Sequence, residues 1–221
     1  MAISKFNFNS FNVTPTASTA LAFNSDADGF TTQSASSMIF IKSLTASNDA
    51  NLSFVNGSSD VVLDDTYPVY RFVFANIHPE GANEFSVNFR DGDTNFDATK
   101  TTTTFRSQLN SGGSSARVDG DGSEDIAQGT GDQGLMIGSQ IGTDNDECAS
   151  GSLTLYNPAS TTFVKHFMST FHHISNDANI ISCTTYMAGY CNVTAAIDGV
   201  IFKMKSGNFN GQIKMYGIQD S

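Results

Sequence analysis

The sequence predicts an all-β protein: a two-sheet antiparallel sandwich, jelly-roll-like, with an extended N-terminal arm. Three observations carry this. Apolar and polar residues alternate with period two in several separate runs, the pattern of strands buried on one face. Charged residues are only 15% of the 221, tryptophan is absent, and the chain meets water through hydroxyls and amides instead. Few stretches carry the Leu/Ala/Glu/Lys richness of an amphipathic helix.

Residues 1–37 are small and polar, beaded with Phe6, Phe8, Phe11, Phe23 and Phe30. They read as an arm for assembly contacts, the five phenylalanines docking on a neighbouring subunit, in preference to a disordered tail. Asp26-Ala27-Asp28-Gly29 reads as the turn that closes it. Residues 38–221 read as one sandwich domain, long enough to bury a substantial core. Strands are expected at Met38–Thr45 and Leu52–Asn56, joined at Ser47-Asn48-Asp49. The next pair is Tyr67–Asn76 and Glu84–Arg90, across His78-Pro79-Glu80-Gly81. Tyr70, Phe72 and Phe74 share one phase of the first, and Phe85, Val87 and Phe89 one phase of the second, giving an aromatic core face. Thr101–Thr104 leads into another strand at Phe105.

The alternation then stops. Residues 110–147 are rich in glycine and aspartate, with a single strand hint at Gly134-Leu135-Met136-Ile137. The segment reads as a long acidic loop facing outward, and a loop of that length in a compact domain is functional or mobile. Strands resume at Ser152–Tyr156, Phe163–Met168 and Ile180–Tyr190. Val200–Lys205 and Gln212–Ile218 flank Ser206-Gly207-Asn208 and read as a closing β-hairpin. The count is eight to ten strands in two groups.

Four stretches together carry a family likeness: Ala196–Ile218, Asp65–Pro79, Phe89–Phe96 and Gly151–Pro158. Together they resemble small jelly-roll-like virion proteins of tailed bacteriophages, marine ones among them, over roughly residues 38–218. The chain departs from the family's loop pattern at Asp93, where a second glycine is usual. The resemblance implies a virion component made in the host cytoplasm, partnered by capsid or tail proteins. Its leading role would be capsid decoration, as a homotrimer with the arm gripping neighbours. The alternatives are a tail or tail-fibre adhesin binding host surface glycans and, behind both, a glycan-degrading depolymerase.

A net charge of −11 argues against nucleic acid, whose phosphates need clustered Lys and Arg, and against an anionic membrane surface. Cys148, Cys183 and Cys191 are odd in number and match no zinc spacing, so buried free thiols are expected over a Cys183–Cys191 bridge. Residues 1–10 lack the apolar run of a secretory signal.

Asp91, Asp93, Asn95 and Asp97 place oxygen ligands on alternate residues, as calcium loops do, and Asp119, Asp121, Ser123 and Asp125 repeat the spacing. Both lack the sixth-position glycine and twelfth-position glutamate of an EF-hand. The expectation is no cofactor, with Ca²⁺ as the one candidate ion, at either cluster and first at Asp91, Asp93, Asn95 and Asp97. His172 and His173 are adjacent and would face opposite sides of a strand. No catalytic triad, nucleophile elbow or metalloprotease motif occurs, so no enzyme is expected. Tyr156, Tyr186 and Tyr190 are the aromatics best suited to exposed contacts, without being assigned to a sugar site.

Overall fold

The computed structural model describes residues 19–34, 37–120, 122–138, 140–175 and 180–219. Fourteen strands occur among them and no helix. The chain divides into two compact units between Met38 and Ile39. The first contains a two-stranded ribbon, β1 (Thr19–Phe23) and β2 (Phe30–Ser34), paired from Thr19↔Ser34 to Phe23↔Phe30. Asn24 holds its turn, accepting from the backbone N–H of Asp28 and of Gly29 at 3.2 Å each. Phe6, Phe8 and Phe11 lie outside the described residues.

The second unit is an all-β sandwich. Its strands are β3 (Met38–Asp49), β4 (Asn51–Val55), β5 (Val69–Pro79), β6 (Phe85–Arg90), β7 (Lys100–Asn110) and β8 (Ala116–Asp119). They continue as β9 (Gln133–Gly134), β10 (Ala149–Tyr156), β11 (Lys165–Ile174), β12 (Ile181–Cys191), β13 (Gly199–Met204) and β14 (Phe209–Ile218). One sheet has eight strands in the order β3-β14-β5-β10-β11-β12-β7-β8; the other has four, β4-β13-β6-β9.

Phenylalanines knit the two sheets together. Phe202 of β13 lies 5.0 Å from Phe74 and 5.3 Å from Phe72 of β5, centroid to centroid. Phe85 of β6 stacks on Phe171 of β11 at 5.7 Å, and Phe89 meets Phe167 at 4.6 Å. These are the offset and edge-on arrangements that aromatic quadrupoles favour. The phase expected for β5, Tyr70, Phe72 and Phe74, is the buried one, while in β6 Phe85, Val87 and Phe89 are buried together with Ser86 and Asn88 of the other phase.

The three expected strand pairs are not hairpins. β3 lies in the large sheet and β4 in the small one; β5 and β6, and β14 and β13, divide the same way. Period-two alternation fixes which face of a strand is buried and is silent about which strand sits beside it. The corners that carry the chain from sheet to sheet are tied to one another. Asn208 donates its side-chain amide to the Asn48 carbonyl at 3.0 Å, and its own carbonyl accepts from the Glu80 N–H at 3.0 Å. Asn210 accepts from the Asn48 N–H at 2.9 Å. Asn48 holds a left-handed φ of 61°, which asparagine tolerates better than most residues. Gly211, at φ 140°, sits at a bulge where β14 passes β5; a β-carbon there would lie 2.9 Å from the Asn76 carbonyl oxygen.

Residues 110–147 do not form a free outward loop. Leu135, Met136, Ile137 and Ile141 are fully buried. The cause lies in β7, whose inward phase is polar: Lys100, Thr102, Thr104, Arg106 and Gln108. The small sheet is four strands too narrow to cover the large one, and the acidic segment covers what is left with matching polar groups. Arg106 donates to Asp119 at 2.9 Å and to the Ile137 carbonyl at 2.6 Å, while Thr104 donates to Asp125 at 2.7 Å. Thr102 donates to Gln133. Buried polar groups need such partners.

Candidate functional site

The solvent face of the large sheet carries a groove. Its shape follows from register. One row of cross-strand neighbours runs Arg71, Thr154, Met168, Ala188, Thr103, across β5, β10, β11, β12 and β7. The next row runs Val73, Ser152, Thr170, Tyr186, Phe105. On the other side of Ala188 and Thr103 lie His166, Tyr190 and Thr101. Small side chains at Ala188 and Thr103 therefore form a floor between two aromatic walls. Four inter-strand steps make it about 19 Å long.

The resulting hollow has a volume of 450 Å³ around Phe105, Tyr156, Met168 and Tyr186, and a 350 Å³ extension beside His166 and Tyr190. Phe105 and Tyr186 stack at 5.0 Å with planes 16° apart, yet are 50% and 40% exposed. Tyr156 and Met168 are also exposed, with the Tyr156 hydroxyl 4.0 Å from the Met168 sulfur. Arg71 is the one charged residue among the described residues lining the main hollow, and its guanidinium donates to the Ser152 hydroxyl at 3.2 Å. Flat aromatic faces beside rows of hydroxyls can pack a ring and hydrogen-bond its rim.

Two of the three tyrosines suggested by the sequence thus line the main hollow, and Tyr190 lines its extension. Phe105 and Met168 give no such sign, because outward aromatic and apolar residues look like core in an alternating run. The signal lies instead in the complementary phase of β7, which reads Lys, Thr, Thr, Arg, Gln.

The acidic candidate is assembled in part. Carboxylate oxygens of Asp91, Asp93 and Asp97 lie within 4.8 Å of one another. Asn95, exposed beside them, donates its backbone N–H to Asp93 at 2.6 Å, with its side-chain amide nitrogen 3.5 Å from the same carboxylate. Ca²⁺ takes six to eight oxygens, so three carboxylates form only part of a shell. The loop also has its own anchor, a two-point pairing of Arg90 with Asp198 at 2.9 and 2.8 Å. Asp121, of the second acidic run, lies outside the described residues. Burial, then Asp93 and Asp97, raise the Asp91 carboxyl above the usual carboxylate range. A raised folded-state value means that Asp91 costs stability as pH climbs from its unfolded value through the raised one, and at every higher pH. Chelator should leave the melting temperature nearly unchanged, and Asp91→Asn in chelator should raise it by about 1 °C. A rise on adding calcium to the native chain, abolished by the same substitution, would instead identify a bound ion.

The remaining candidates separate. His166 faces out, tilted against Tyr190 at 6.1 Å; His172 lies beside the Ser182 hydroxyl at 3.0 Å; His173 is buried. The three cysteines are free, and Cys183 and Cys191 sit on the same strand. Phe23 and Phe30 of the first unit stack at 5.2 Å and remain 70% and 41% exposed. No known protein family matches this chain, and no curated protein sequence matches it.

Proposed function

We propose that the chain is a non-enzymatic structural protein displayed on the surface of a tailed-phage virion, decorating the capsid as a homotrimer. The observation that carries the reading is the stacked, exposed Phe23–Phe30 pair on the N-terminal ribbon. A two-stranded ribbon is marginally stable in water by itself, and large exposed aromatics on it are suited to burial against a neighbouring subunit. The phage resemblance of the sandwich strands supplies the setting. Quantitative mass spectrometry of purified virions should find hundreds of copies, on the order of the major capsid protein. Deleting residues 1–37 should abolish attachment and leave a folded domain. A handful of copies per particle would place the protein on the tail.

One observation favours the second reading, a tail adhesin for host surface glycans: the groove of Arg71, Phe105, Tyr156 and Tyr186. It crosses strands that are paired on both sides, so a peptide cannot add to it as an extra strand. Its single guanidinium is too little charge for nucleic acid. Sugar rings, with apolar faces and hydroxyl rims, match stacked aromatics and threonines. Under this reading, soluble fragments of host envelope polysaccharide bind by titration calorimetry, and Tyr186→Ala weakens them at least about tenfold. Equal binding by the variant, or none by the native chain, removes this reading and leaves the first.

A further inference from the structure

Lys100, at the start of β7, is fully buried, and its ε-amine donates to the side-chain carbonyl of Asn88 at 2.7 Å. Asn88 belongs to β6, in the opposite sheet, and is 3% exposed. We propose that these two side chains join in an isopeptide bond, the Lys100 amine displacing ammonia from the Asn88 carboxamide, so that a covalent link ties the two sheets together.

The nucleophile is prepared by its surroundings. Among the described residues within hydrogen-bond reach, Nζ has two uncharged acceptors, Asn88 Oδ1 and the Ala98 carbonyl at 3.2 Å. An ammonium buried among neutral oxygens is costly, and burial brings the Lys100 amine down to about 8. About a tenth is therefore the free amine at pH 7, far more than for an exposed lysine. The neighbouring thiol does not compete, since burial pushes Cys191 up to about 12 and keeps it protonated.

The carboxamide is held from both ends. Its oxygen also accepts from the Phe89 backbone N–H at 2.9 Å. That donor faces the atom on which negative charge develops when an amine adds to Cγ. Its nitrogen donates to the Thr130 carbonyl at 3.1 Å and to the Asp132 carboxylate at 3.0 Å. Asp132 is in turn paired with Lys203 at 2.7 Å. These contacts place oxygen toward the donors and nitrogen toward the acceptors.

The step balances without a co-reactant. Nζ forms a bond to Cγ, and the negative charge gathers on Oδ1. One proton leaves Nζ and one reaches Nδ2: once both nitrogens are bonded to Cγ, the Asp132 carboxylate that accepts from Nδ2 at 3.0 Å carries the proton between them. The Cγ–Nδ2 bond breaks, and ammonia leaves past Asp132, which is 30% exposed at its side chain. The product buries a neutral amide where an ammonium and a carboxamide stood.

The test begins with the intact mass of the full native chain, denatured. The expected result is the sequence mass less one ammonia, with residues 88 and 100 recovered in one branched peptide after proteolysis. Lys100→Arg should restore the full mass of its own sequence. Asp132→Asn should slow the mass loss by about a hundredfold or more while circular dichroism stays unchanged. The unmodified mass in aged native protein overturns the proposal, and so does the slight gain of a deamidated Asn88. Because the first measurement uses the native chain, its result stands even where a variant fails to fold.

Discussion

Phe202→Ala is expected to lower the stability of the sandwich by about 4 kcal/mol, a drop in melting temperature of about 10 °C. Phe202 is fully buried on β13, between β4 and β6. It meets Phe54, Phe72, Phe74 and Phe85 at centroid separations of 6.3, 5.3, 5.0 and 6.2 Å. Truncation removes the buried ring and leaves a void bordered by four other rings, which cannot all turn inward without breaking their own contacts. Phe202→Leu should retain about half of that stability, because volume is partly kept. Chemical and thermal melts of both variants check this. A loss below about 1 kcal/mol for the alanine variant would mean that the cluster repacks around the gap.

The second large effect is expected at Arg106. Its side chain is 9% exposed and holds Asp119 and the Ile137 carbonyl together under β7. Arg106→Ala leaves the covering segment without its central donor, at a cost of about 3 kcal/mol. The loss should be local. Amide exchange should quicken in β8 and around Leu135–Ile137, while β5, β10 and β14 keep their protection. Replacing Arg106 and Asp119 together by Met and Leu should recover only part of the stability, since Asp119 is a third exposed and also pairs with Arg117, while the Ile137 carbonyl still lacks its donor. Raised salt should weaken the native pairing little, because the guanidinium is shielded from solvent. Unchanged exchange in β8 would show that the segment is held by its apolar residues alone.

The sequence carried the class of fold and most strand positions, because alternation at Tyr70–Phe74 and Val200–Met204 is a direct print of burial on one face, whereas at Phe85–Phe89 the polar phase is buried too. Pairing was not legible. Ser206-Gly207-Asn208 looks the same whether it reverses the chain within a sheet or turns it into the opposite one. The cover over β7 was hidden for another reason. Its aspartates serve as partners to Arg106 and Thr104, and a run of Asp and Gly gives no sign of which donors await it. The groove was half legible: Tyr156, Tyr186 and Tyr190 stood out by their hydroxyls, while Phe105 and Met168 were indistinguishable from core. The closeness of Asn88 to Lys100 depends on two sheets meeting face to face, and no local pattern encodes that.

The sheet order also governs how the molecule can be made. β14 lies between β3 and β5, and β13 lies between β4 and β6. During synthesis, strands formed early must wait for partners translated more than a hundred residues later. At ribosomal rates of about 5–20 residues per second, that wait lasts about 6 to 30 seconds. Until residues 199–218 emerge, β3 and β4 have no neighbour on that side, and the aromatic faces of β5 and β6 stay open. Folding is therefore a late, concerted event dominated by distant pairings, slow by the standards of its size. A nascent chain stalled before β13 would expose phenylalanine-rich strand edges and be an early substrate for chaperones or aggregation.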